Sequence, residues 1–245
     1  MTTVVLLHGW GMNGAVFDDL AERLSARHEV FAHDLSGYGG RAAGEPYTLE
    51  RLANDVAVRA PRKCFVAGWS LGAQVALTWA RTKPQQVERL ALIAATPCFT
   101  QRGDWPHAVA APVLQAFASA LRSDYSGTLT RFFSLQARGD NRAKRVARRL
   151  RDVSARSPMP NARALERGLD LLLETDLRGV LGAIEPPALV VHGERDALAP
   201  IAAGEYLSQA LPHARLAVIH GAAHAPFISE PETVSRLALE FFNGR

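Results

Sequence analysis

The chain holds only two cysteines, Cys64 and Cys98, too few for disulfides to carry the fold, and none of its Cys and His residues has zinc-ligand spacing. Nowhere does an apolar run approach the ~20 residues that cross a bilayer. Met1-Thr2-Thr3 passes straight into a strand-like run with no charged segment before it, so a cytoplasmic protein without a secretory leader is expected. Aromatic residues make up 7% of the chain and do not interleave with its basic residues. No recognition fold for nucleic acid accompanies them, and neither a nucleic-acid nor a membrane partner is expected. From Pro97 to about Ile184 there is no strand signal, only helical periodicity broken by Pro and Gly. What the chain does have is 245 residues of which 48% are hydrophobic, enough for one substantial core with an inserted subdomain.

The clearest local meaning lies in Phe65 to Leu77. An apolar run enters Gly68-Trp69-Ser70-Leu71-Gly72, a G-x-S-x-G pentapeptide, and a helical Ala/Gln/Val/Leu pattern leaves it. In a nucleophile elbow the serine sits in a strained turn between strand and helix, and a side chain two positions away on either side collides with neighbouring backbone. The helix N-terminus behind Ser70 would favour the negative charge that forms when a serine attacks a carbonyl. Glycine-flanked serines also occur in ordinary turns, so the assignment rests on the elements around the pentapeptide.

Those elements alternate as strand and helix. Thr3 to Leu7 is a continuous apolar run suited to a buried parallel strand. His8-Gly9-Trp10-Gly11 follows it, where α/β sheets bind ligands. The segment reads either as a plain glycine-rich turn or as a loop presenting the Trp10 N–H to a substrate oxygen, with the Leu71 N–H as paired donor. Each such donor is worth ~3 kcal/mol in a transition state. Helix is expected over 17–26, 47–59, 71–81, 202–211 and 230–242, and strand over 30–33, 63–67, 87–95, 188–192 and 216–220. The break from 97 to 184 reads as about four inserted helices lying over the strand ends as a cap. Asp34, after the second strand, is a rival catalytic acid but is explained as a residue fixing its own loop through an Asx-type turn.

The charge is uneven. Residues 122–167 carry twelve Arg and Lys against four Asp and Glu, a surplus of 8 that leaves the rest of the chain at −4 within the net charge of +4. Over 138–153, at about 100° per residue, Ala143, Val146, Ala147, Leu150 and Val153 share one face, and seven cations cover the rest. A solvated surface explains most charged helices, but seven cations against two acids favour an anionic partner.

Asp196 follows the strand 188–192, and His224 follows the last one, in the loop Gly221-Ala222-Ala223-His224. Ser70, Asp196 and His224 thus lie in triad order at one edge of a single sheet. His220 ends its strand and is expected to point into packing, whereas the small residues around His224 let it reach the serine. Glu194 is the alternative acid to Asp196. His8, His28, His33, His107, His192 and His213 are read as structural or surface residues, and Cys64 as a small core residue.

These residues resemble the α/β-hydrolases, and within that superfamily the family of pimeloyl-[acyl-carrier protein] methyl ester esterases of biotin synthesis. The likeness rests on Leu6-Leu7-His8-Gly9-Trp10-Gly11-Met12-Asn13, on Gly68 to Gly72, on Ala222-Ala223-His224-Ala225-Pro226-Phe227-Ile228-Ser229, and on Arg131-Phe132-Phe133-Ser134-Leu135-Gln136. It implies an α/β fold of about six parallel strands flanked by helices. Residues 1–96 and 186–245 would form the core and 97–185 a helical cap. The family opens with one or two strands before the His-Gly strand; here that strand begins at Thr3, and no antiparallel edge is expected. A monomeric serine carboxylesterase needing no metal or cofactor is implied, with Ser70, Asp196 and His224 as triad and Trp10 and Leu71 as oxyanion hole. Trp10, Trp69, Leu71, Phe132, Phe133, Ser134, Leu135, Gln136 and His224 would bind substrate, and Arg131, Arg142, Lys144 and Arg148 would grip an acyl carrier protein. A hydrolase of small free esters, lactones or C–C bonds would use the same triad with a different pocket.

Overall fold

The computed structural model describes residues 1–244. Six strands, β1 (Thr3–Leu7), β2 (Glu29–His33), β3 (Cys64–Trp69), β4 (Val87–Ile93), β5 (Ala188–Gly193) and β6 (Ala214–Ile219), form one sheet. The order is β2-β1-β3-β4-β5-β6 and every pair is parallel, as the sequence leads one to expect. β1, β3 and β5 are buried along their whole length, which is why they read as unbroken apolar runs rather than alternating ones. The edge strands β2 and β6 are only partly covered; on β2, exposed Phe31 stacks on His33.

The chain steps from β1 outward to β2, crosses back to β3 and continues to the far edge. The loops after neighbouring β1 and β3 therefore leave in opposite directions and open a crevice between them, the ligand position of such sheets. Right-handed crossovers put α1 (Asp18–Leu24) on one face and α2 (Leu49–Ala57) and α3 (Leu71–Thr82) on the other. α2 is capped by the Thr48 hydroxyl, which accepts the Arg51 N–H.

Between β4 and β5 the chain forms α4 (Ala111–Ser123), α5 (Tyr125–Gln136), α6 (Ala143–Ala155) and α7 (Ala162–Glu174), the four helices anticipated. Asp124 caps α5 and Asn161 caps α7. The helix expected from Arg138 does not start there: Gly139 takes φ +90 and Asp140 binds the Arg142 N–H, so residues 137–142 form a turn. From Ala143 onward the buried residues Val146, Ala147, Leu150 and Val153 follow the predicted apolar face. Helices α4 to α7 have no separate core: Phe132, Leu150 and Leu165 belong to the same apolar cluster as β1 and β3, while Cys98, Trp105 and Ala108, ahead of α4, pack with Ala203 in a second, small one. The fold closes with α8 (Ile201–Ala210), the short α9 (Pro226–Ser229) and α10 (Pro231–Phe242), which packs on α1.

Candidate active site

Ser70 occupies the strand-to-helix corner with φ 57 and ψ −119, a left-handed conformation that costs a non-glycine residue about 1–3 kcal/mol. Its surroundings permit nothing larger than the observed glycines. A Cβ on Gly68 would lie 2.4 Å from the Gly72 carbonyl oxygen, and one on Gly72 would lie 2.1 Å from that of Leu7. Ser70 is thereby held at the head of α3, beside β1.

His224 completes the approach. Its Nε2 is 2.9 Å from Ser70 Oγ and its Nδ1 2.7 Å from Asp196 Oδ2. Nδ1–H donates to the carboxylate, which leaves Nε2 free to accept the serine proton. The second Asp196 oxygen accepts the N–H groups of Leu198 (2.8 Å) and Ala199 (2.9 Å). All three side chains are buried, His224 at 1% exposure. His192, below Asp196, donates Nε2–H to the Ala199 carbonyl at 2.6 Å; burial lowers its pKa, partly opposed by the Asp196 charge, so it stays neutral and leaves the carboxylate to His224.

The rivals fall elsewhere. Asp34 does fix a loop, but by accepting the N–H of distant Gly14 at 2.7 Å rather than through a local Asx turn. Glu194 accepts the Gly221 N–H at 2.9 Å and pairs with His220 at 3.3 Å. His220 does not point into packing: β6 stops at Ile219, and the His220 side chain is 83% exposed. Cys64 and Cys98 are both buried and free.

The loop after β1 lies against the nucleophile, since a Cβ on Gly9 would sit 3.1 Å from that of Ser70. Neither the Trp10 nor the Leu71 N–H has a hydrogen-bond partner among the described residues. His8, fully buried, accepts the Leu35 N–H on Nε2 (3.1 Å) and so must donate Nδ1–H to the Gly9 carbonyl (2.8 Å). Burial drives its pKa down to about 4, opposed by the Gly9 bond and the Asp34 charge. Pinning the Gly9 carbonyl turns the N–H of the same peptide, that of Trp10, the opposite way.

The insertion contributes more than sequence reasoning assigned to it. The Trp10 indole donates to the Leu165 carbonyl at 2.8 Å, and its ring lies so close to Gly168 that a Cβ there would meet it at 2.7 Å. Phe132 meets the Trp10 ring edge-on at 4.8 Å, and Phe117 meets Phe132 at 5.7 Å. Phe133 reaches Gly11. The Trp69 indole donates to the His224 carbonyl at 2.7 Å, its ring packed on Phe227. The Gln136 carbonyl accepts the His224 N–H at 3.2 Å, while its buried Oε1 has no protein partner. Ser134 and Leu135 lie on the other side of α5, in the wall of an outer groove of about 930 Å³ between α4, α5 and α6.

Of the four cations expected to face a partner, Arg131, Lys144 and Arg148 line that groove. Arg131 pairs with Asp124 at 3.2 Å and Arg148 more loosely with Asp152 at 3.8 Å, and Lys144 has no acidic partner among the described residues. Arg142 turns inward instead, donating to the Ser229 carbonyl and pairing with Glu230 at 3.3 Å. Arg138 and Arg151, not assigned from sequence, join the groove rim without an acidic partner among the described residues.

A serine on a strained elbow, in line with an imidazole and a buried carboxylate, makes this a serine hydrolase of the Ser-Asp-His class. A family model described as alpha/beta hydrolase fold matches residues 2–231. The chain is 40% identical over 242 residues, 99% of its length and 93% of the relative's, to the pimeloyl-[acyl-carrier protein] methyl ester esterase of Edwardsiella ictaluri. It is 42% identical over 243 residues to the one from Aeromonas hydrophila, covering 98% of this chain and 95% of that one. An esterase from Exiguobacterium antarcticum superposes with TM-score 0.89 at 23% identity, covering 100% of this chain and 92% of the other, a likeness of fold. The chain belongs to the α/β-hydrolase family and, within it, to the family of these pimeloyl-[acyl-carrier protein] methyl ester esterases.

Proposed function

We propose that the protein is a serine carboxylesterase that hydrolyses the methyl ester of pimeloyl-[acyl-carrier protein] methyl ester, releasing methanol and the carrier-bound acid in biotin synthesis. The observation that carries this reading is the near-full-length identity of about 40% to relatives bearing that name, joined to an intact triad. Residues 97–185 act as a cap on a core of 1–96 and 186–245.

Ser70 Oγ attacks the ester carbonyl carbon as its proton passes to His224 Nε2, and Asp196 stabilises the imidazolium. The carbonyl oxygen becomes an oxyanion facing the Trp10 and Leu71 N–H groups, whose freedom from other partners suits them to it. The tetrahedral centre collapses and methanol departs with the proton from Nε2, leaving the acyl group on Ser70. Water then attacks the acyl carbon, His224 takes its proton and returns it to Ser70 Oγ, and the free carboxylate is released.

The acyl chain would reach Ser70 from the outer groove by displacing the row Phe117, Phe132, Trp10, with Phe133 beside it and the free Gln136 Oε1 as a polar contact. Lys144, Arg131, Arg148, Arg138 and Arg151 give the groove a cationic rim that suits an acidic carrier protein. On this reading the enzyme is a monomer of the cytoplasm that needs no metal or cofactor. The test is methanol release from the carrier-linked ester by wild type and Ser70→Ala. Release by the wild type alone supports the assignment; a wild type that hydrolyses a nitrophenyl ester but ignores the carrier-linked ester removes the substrate and keeps the triad.

A further inference from the structure

The loop carrying His224 is short and made of small residues, and three of its backbone groups are bound by the end of α5 and the turn that follows it. The Gln136 carbonyl holds the His224 N–H. Asp140 Oδ2 accepts the Ala223 N–H at 2.8 Å, and its Oδ1 accepts the Arg142 N–H at 2.7 Å. The Asn141 N–H donates to the Gly221 carbonyl at 2.8 Å, and Gly221, at φ +73, passes so close that a Cβ there would lie 2.2 Å from Asn141 Nδ2. Beyond His224 the Arg142 guanidinium grips the Ser229 carbonyl and Glu230. The same turn reaches the acid loop, where Arg195, the residue before Asp196, donates to Asn141 Oδ1 at 2.8 Å.

We propose that the turn of residues 137–142 clasps the catalytic histidine, with Asp140 as the positioning residue that sets the distance from His224 to Ser70. Asp140 is 7% exposed and divides its two oxygens between its own turn and the peptide just before His224. A carboxylate suits this position because only it offers an acceptor on both sides; an amide presents a donor to one of two N–H groups. With the Ala223 N–H released, the loop keeps its bonds to Gln136 and Asn141 but loses the one at the residue before His224, and misplacement near 1 Å from a residue outside the chemistry costs on the order of 100-fold in rate. Asp140 touches neither Ser70 nor Asp196, and its one bond outside its own turn is to the loop of His224.

The experiment uses the whole enzyme with a small nitrophenyl ester, so its outcome is independent of the carrier-linked substrate. Asp140→Ala is expected to lower kcat about 10- to 100-fold with KM changed less than about threefold. It should also shift or broaden the downfield proton resonance of His224 Nδ1–H in the bond to Asp196. Asp140→Asn keeps the shape and one acceptor and should fall between Asp140→Ala and wild type, which preserves the test if the alanine variant does not fold. A wild-type kcat in either folded variant, or a loss confined to KM with the downfield resonance unmoved, overturns the proposal.

Discussion

His8 makes a demanding prediction because one buried ring joins the nucleophile's neighbouring loop to the loop after β2. The fold needs it neutral: Nε2 must accept from Leu35, and no room for a charge is provided. With burial lowering its pKa from 6.5 to about 4, the unfolded chain takes up a proton as the pH falls below 6.5, and the folded chain does so only near 4. Stability from this group is therefore complete above pH 6.5 and is lost as the pH drops towards 4, at about 1.4 kcal/mol per pH unit and about 3 kcal/mol in all. His8→Asn keeps a donor for the Gly9 carbonyl, orphans the Leu35 N–H and does not titrate. At pH 7.5 it should be less stable than wild type by about 1–3 kcal/mol, and the gap should shrink by about 2 kcal/mol on reaching pH 5. Urea unfolding at a series of pH values measures this directly. Parallel stability curves for the two proteins would refute the reasoning. The same position separates support of the loop from stability: His8→Gln keeps the acceptor for Leu35 but frees the Gly9 carbonyl, so it should lose more kcat than His8→Asn, about 10-fold or more, if aiming the Trp10 N–H matters.

Further outcomes follow from the site. Asp196→Asn should lower kcat by about 10³–10⁴ by disturbing the His224 tautomer, whereas Glu194→Ala, which frees only Gly221 and His220, should cost less than about tenfold; equal losses would reopen the choice of acid. Gly72→Ala forces a Cβ to 2.1 Å from the Leu7 carbonyl and should yield no soluble active enzyme, which expression and fluorophosphonate labelling of Ser70 would reveal. Raising salt should depress kcat/KM for the carrier-linked ester while leaving a small neutral ester unchanged, and Lys144→Glu should weaken that dependence; a flat response for the carrier-linked ester would argue against docking at the groove.

The sheet and the triad were legible because their signals are local and ordered: unbroken apolar runs, a glycine-flanked serine, and Asp196 and His224 each just beyond a strand. The start of α6 was not, because 138–153 keeps a helical pattern through the turn and one glycine gives it little local contrast; the Gly139 carbonyl, in a residue of positive φ, accepts from Arg195, a contact far away in sequence. His220 was misplaced because β6 is an edge strand ending one residue sooner. On α5, a wheel at about 100° per residue would have shown Phe132, Phe133 and Gln136 sharing one side and Ser134 and Leu135 the other. The Asp140 clasp had no sequence signal, since its long-range partner, the Ala223 N–H, lies 83 positions away.

That helices α4 to α7 share one apolar cluster with the sheet has a thermodynamic meaning. Helices α4 to α7 cannot melt while the sheet stays folded without exposing the Trp10 and Phe132 interface, so lid and scaffold should denature in a single cooperative transition. A shortened chain lacking the insertion would then be an unfolded chain rather than a smaller, less selective hydrolase.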